Sequence, residues 1–157
     1  MVSLTPVLAD DSNLSRSKSS SDLLALVGRV LIAAIFILSG ASKVADPTGT
    51  IAYIGSAGLP LPQLAFVAAA AVELVGGLAL VLGYRTRLAG LVLAIFSLLA
   101  ALTFHSALSD QNQFIHFFKN VAMAGGLLQV VAFGAGRLSL DAFFSGKLAE
   151  VQELAAR

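Results

Sequence analysis

Long apolar runs alternate with short polar breaks along most of this chain, and polar residues crowd its first twenty positions. A helix needs about 20 apolar residues to cross the hydrocarbon core of a bilayer. Four runs of that kind predict helices over residues 22–42, 62–82, 88–105 and 114–133. Asp46-Pro47 reads as an N-cap followed by a proline at the first helical position. It opens a short interfacial helix, 48–57, which cannot span and stops at Gly58-Leu59-Pro60. After Gly134 to Gly136, a cap at Ser139 or Asp141 starts an amphipathic helix. Its apolar side carries Phe143, Phe144, Leu148, Val151 and Leu154 and is expected to rest on the membrane surface.

The predicted fold class is therefore all-α, a four-helix transmembrane bundle with a short interfacial helix and an amphipathic C-terminal helix. Residues 1–21, rich in Ser and Asp, read as a disordered tail. Residues 22–137 form the membrane domain and 138–157 the terminal helix. Ser20, Ser21 and Asp22 offer an N-cap for the first span. Arg16 and Lys18 ahead of an apolar run also fit a secretory signal, with Ser39-Gly40-Ala41 behind it. The length of that run and the apolar segments after it favour a retained helix.

Composition agrees with the bilayer. The 157 residues are 57% hydrophobic and 12% charged, whereas soluble domains carry about 25% charged residues. Mean hydropathy is +0.88. A net charge of +1 gives no footprint for nucleic acid. With no cysteine, thiolate catalysis, disulfide exchange and iron–sulfur ligation are excluded. Arg16, Lys18, Arg85, Arg87, Arg137, Lys147 and Arg157 share one side of this topology, so both termini are expected in the cytoplasm.

The candidate chemistry lies in the charges within the spans. Glu73 sits mid-span, flanked on its own face by Ala69 and Gly77, so it should face protein rather than lipid. Arg29, Phe36, Gly40 and Lys43 fall on one helical face. Counting along the helices puts Arg29 and Glu73 level to within roughly 5 Å, within reach of an arginine side chain. An Arg29–Glu73 ion pair is thus expected, with Lys119 as the other candidate partner of Glu73. His116, Lys119, Asn120 and Met123 share a face of the last span, and Lys43, His105 and His116 lie near the outer end of the bundle. Together they predict a polar core opening outward. Each element also has a plain structural reading: a register-fixing ion pair, a Lys43 that reaches to the interface, a water-exposed helix-end His105, and packing at Gly76-Gly77 and Gly125-Gly126. Two histidines and a glutamate at a different depth make a poor metal site, and no metal is expected.

The order and spacing of Arg29, Phe36, Gly40-Ala41-Ser42-Lys43, Glu73-Leu74-Val75-Gly76-Gly77, Gly83, Arg87, His105, Phe118-Lys119-Asn120 and Gly125-Gly126 resemble the DoxX family over residues 29–141. The resemblance implies a small four-helix protein of the bacterial cytoplasmic membrane, with Arg29, Lys43, Glu73, His105 and Lys119 as its typical polar positions. It also implies quinone-linked redox work as a subunit or anchor of an oxidoreductase system. No residue here carries electrons unaided, so a bound quinone or a partner subunit would supply the redox chemistry. Arg29, Lys43, Glu73, His105, His116, Lys119 and Asn120 are the candidate cofactor-binding residues. A non-enzymatic scaffold with a structural polar core and a small homo-oligomeric transporter are the alternatives.

Overall fold

Each of the four long apolar runs forms a helix in the computed structural model, which describes residues 11–155, with side-chain surroundings for residues 20–154 apart from Val151. The order is α1 (Asp11–Ala45), α2 (Pro47–Ser56), α3 (Pro62–Leu82), α4 (Thr86–Phe104), α5 (Gln111–Phe133) and α6 (Leu140–Ala155). Four of them, counting α1 from Ser20, are long and apolar enough to cross a membrane. Most of their large apolar side chains, Leu31, Val75, Leu99 and Leu128 among them, remain exposed. That is a surface for acyl chains, since a soluble domain would bury it.

Caps explain where the elements start. The Asp46 carboxylate accepts the Gly49 N–H at 2.9 Å, and Pro47 opens α2 as the sequence requires. Asp110 accepts the Gln113 N–H at 2.8 Å, so α5 begins three residues earlier than its apolar pattern suggests. Ser139, not Asp141, caps α6, with its hydroxyl accepting the Ala142 N–H at 3.2 Å. The expected tail differs more. Residues 1–10 lie outside the described residues, but from Asp11 onward the chain is already α1. Asp22 does not cap that helix; its carboxylate accepts the Arg137 N–H at 3.0 Å and ties the segment before α6 to α1.

The helices pack as two intimate pairs, α1 on α3 and α4 on α5, joined across α3 and α4, while α1 and α5 meet only lightly. In the first pair glycine sets the separation. A Cβ at Gly40 would lie 2.8 Å from Leu74 Cγ and 3.2 Å from Glu73 Cβ. One at Gly77 would lie 2.7 Å from Ile37 Cγ1 and 3.4 Å from the Ala33 carbonyl. Gly76 against Leu93 and Gly126 against Ile32 are similarly tight, whereas Gly125 faces open space. Small residues let two backbones approach where no hydrophobic effect drives helices together in lipid. The two α1–α3 contacts also act as a vernier, holding Gly40 opposite Glu73 and Ala33 to Ile37 opposite Gly77. In that register Arg29 falls beside the C-terminal end of α3.

The apolar core, with Ala33, Phe36, Leu80, Leu93, Ala94, Ala124 and Leu127, fills the half of the bundle nearest the α3–α4 turn. The other half holds a cavity, with α2 packed on α3 at that end. Gly77→Leu should push α1 from α3 and lower stability by about 1–3 kcal/mol. Thermal or denaturant unfolding in detergent would check it, with Gly125→Ala expected to change little.

Candidate functional site

Charged groups inside the bundle separate into two sets, one at each end. Arg29 is 1% exposed and belongs to the end that carries the α3–α4 turn. Its guanidinium donates to the Leu80 carbonyl at 2.8 Å and the Leu138 carbonyl at 2.6 Å. Leu80 is in the last turn of α3, where its carbonyl also accepts the Gly83 N–H at 3.2 Å, and a cation there adds a second donor and complements the helix dipole. The expected Arg29–Glu73 pair is not formed. Counting from the midpoint of each span makes the two residues level, but α1 begins further back and the glycine register carries Arg29 past Glu73 to the end of α3.

Asp141, on α6, completes this joint. Its carboxylate accepts the backbone N–H groups of Arg85 at 2.7 Å and Thr86 at 2.9 Å, capping α4 from another element. Arg85, the local cap residue, has a left-handed backbone with φ of 41° and supplies no side-chain cap of its own. Burial pushes the Asp141 carboxyl up, but the Thr86 and Arg85 N–H groups and the Arg29 charge more than offset it, leaving it below its ordinary value. Gly83 makes the close approach possible: it has φ of 66°, and a Cβ there would collide with Ser139 and Arg29.

Glu73 takes a different partner. Lys43 Nζ lies 2.9 Å from both carboxylate oxygens, and Ser39 Oγ donates to Oε1 at 3.1 Å. Lys43 Nζ also donates to Ser39 Oγ at 2.9 Å. Glu73 is 4% exposed, whereas Lys43 is about a quarter exposed. Lys43 therefore does not simply extend to the interface; its long stem turns inward to the carboxylate. Ser39 was not singled out in the sequence, although it stands one helical turn before Lys43 on the same face.

Nearer the far end, Lys119 Nζ is 2.9 Å from His116 Nδ1, and Asn120 Nδ2 donates to the His116 carbonyl at 2.9 Å. Lys119 thus meets a histidine rather than Glu73. His105 Nδ1 is 2.8 Å from Gln113 Oε1, and the two histidine rings stack with centroids 5.0 Å apart. Among the described residues no group of three or more metal-ligating side chains comes together.

These groups surround one cavity of about 480 Å³. Lys43, Glu73, His105, Lys119 and Asn120 line it; His116 stands behind His105 and Lys119, and Arg29 is excluded. Its remaining wall is largely apolar, including Phe36, Phe96, Leu99 and Met123. Tyr53 from α2 and Phe104 from α4 stack on its wall, with centroids 5.4 Å apart. Volume, apolar lining and a few converging polar groups are the attributes of a small-molecule site. The part played by α2 was not legible in the sequence, because Tyr53 reads there only as one apolar residue of an interfacial helix.

A family model described as DoxX matches residues 24–106, a stretch that contains Arg29, Lys43, Glu73 and His105. The chain belongs to the DoxX family. It is 35% identical over 130 residues to the inner membrane protein YqjF of Escherichia coli (strain K12), covering 83% of this chain and 98% of that one. It is 32% identical over 124 residues to the inner membrane protein YphA of the same organism, covering 76% and 89% of the two chains. A protein of Bacillus subtilis (strain 168) named "Putative oxidoreductase CatD" is 40% identical over 78 residues, covering 50% of this chain and 57% of that one. No solved structure matches the chain.

The two ends respond differently to change. Lys43→Met strands a buried carboxylate without its cation, whereas Glu73→Gln leaves a lysine free to swing outward. Unfolding measurements should therefore show a larger loss for Lys43→Met, about 3 kcal/mol or more, with part of it recovered in the Lys43→Met/Glu73→Gln double variant. At the other end, Asp141 binds its proton less readily folded than unfolded. Its contribution is complete above the unfolded value, near pH 4, and is lost as pH falls through the lower folded value. The acid-induced drop in thermal midpoint should be shallower in Asp141→Asn.

Proposed function

We propose that this DoxX-family protein is a multi-pass protein of the bacterial inner membrane that binds a quinone as a subunit or anchor of an oxidoreductase system. The observation that carries the reading is the cavity: apolar and aromatic on most sides, with ammonium donors at Lys43 and Lys119. Its volume of about 480 Å³ suits a substituted ring. A quinone is an apolar ring with two carbonyl acceptors, and this donor set fits it. Lys43, paired with Glu73, would hold one oxygen; Lys119 and Asn120 stand ready for another. The light α1–α5 contact offers an isoprenoid tail a way into lipid. A bound quinone would supply the two-electron chemistry that no side chain here provides. The name carried by the Bacillus subtilis relative points the same way, and the names of YqjF and YphA support the membrane assignment.

The test is native mass spectrometry on protein extracted gently from its own membrane, with quinone assayed in parallel. One ubiquinone or menaquinone per chain, lost in Lys119→Met and Lys43→Met variants that still fold, would support the reading. A chain that neither retains nor takes up either quinone, while still recruiting a partner protein, would favour a scaffold whose Lys43–Glu73 pair is structural.

We also place both termini in the cytoplasm. Arg85, Arg87, Arg137 and Lys147 stand exposed at the end of the bundle that carries the α3–α4 turn, whereas Lys43 at the other end turns inward. A fluorescent-protein fusion at the C-terminus should glow, and a periplasmic phosphatase fusion there should be inactive; the reverse pattern would contradict this orientation.

A further inference from the structure

A second concavity, of about 580 Å³, lies at the opposite end of the bundle from the quinone cavity. The α3–α4 turn, the first turn of α4, the end of α5 and the start of α6 border this open concavity. Arg85 and Arg87 stand on its wall with exposed side chains, and neither guanidinium has a hydrogen-bond or ion-pair partner among the described residues. Asp141 also lines it, but its oxygens already accept the Arg85 and Thr86 N–H groups, and the buried Arg29 charge lies behind it. Ser139 and Ser145 add hydroxyls, both donating to backbone carbonyls. The site is therefore a cationic hollow with its carboxylate occupied.

Its surroundings are apolar. Phe133, on the rim, is 80% exposed, and Leu88, beside the two arginines, is 55% exposed. Exposed Phe143 and Phe144 begin the apolar side of α6 just beyond. A guanidinium matches a phosphoryl group in geometry as well as charge, and basic hollows between spans at the membrane surface suit anionic lipid headgroups. A soluble anion would use the arginines alone; the exposed aromatic and aliphatic rim fits acyl chains.

We propose that this hollow seats the phosphoryl headgroup of an anionic phospholipid between Arg85 and Arg87, with its acyl chains along Phe133 and Leu88. This assignment is independent of quinone binding, since it uses other residues at the other end of the bundle.

The experiment is native mass spectrometry of the delipidated full chain in detergent, titrated with phosphatidylglycerol, phosphatidylcholine or inorganic phosphate. Phosphatidylglycerol should bind on the order of tenfold more tightly than phosphatidylcholine, and Arg85→Gln/Arg87→Gln should abolish that preference. Arg137→Gln, outside the hollow, should leave it unchanged. The unfolding midpoint of the double glutamine variant should match wild type, because neither side chain has a protein partner. If it does not, Arg85→Lys/Arg87→Lys should keep part of the preference by retaining charge. Equal binding of the two lipids, or a preference that survives charge removal, would overturn the proposal. Displacement of phosphatidylglycerol by inorganic phosphate would also overturn it, by making this a bare anion site.

Discussion

The contact of α1 with α3 through Gly40 and Gly77 is the constraint from which the polar architecture follows. In lipid, helices gain little from burying apolar surface, so where two helices lock depends on where their backbones can come close. A Cβ at either position would crowd Leu74 or Ile37, so the two contacts favour this longitudinal setting of α1 against α3. In that setting the helix register fixes which ions meet. Lys43, Lys119, Arg29 and Glu73 all lie within the spans, and several pairings are chemically reasonable. The register selects Lys43 for Glu73 and delivers Arg29 to the carbonyls at the end of α3.

The result is a bundle with two unlike halves. Where the apolar core is packed, Arg29, Asp141 and Gly83 join α1, α3, α4 and the start of α6 into a tight seam. The two terminal nitrogens of Arg29 and the Asp141 carboxylate there are spent on backbone partners. The other half is looser: the ion pair sits on a cavity wall, Lys119 has only a histidine for company, and α2 packs at that end without filling the cavity. An ammonium group within a span on the wall of a cavity is the feature on which the proposed ligand site rests.

Much of this was legible in the sequence. The four spans, the proline-opened α2 and the shared inward face of Arg29, Phe36, Gly40 and Lys43 all follow from periodicity and caps, which are local rules. Five of the seven candidate residues line the cavity. The failures concern relations between helices. Periodicity gives the face of Arg29 but not its height relative to Glu73, since that depends on a backbone contact made elsewhere. Asp22 and Asp141 carry the residue type of a local cap, yet each reaches a partner more than fifty residues away. Ser39 and Tyr53 gain their roles only once the lysine turns inward and α2 packs on α3.

Photolabelling with an azido-quinone, followed by peptide mapping, tests most directly whether this register builds a quinone site. Adducts concentrated on the cavity wall, at Tyr53, Phe96, Leu99, Phe104 or Met123, and competed away by unlabelled quinone, are the expected result. Adducts confined to outward-facing positions such as Leu31, Leu128 and Phe133, without competition, would contradict it.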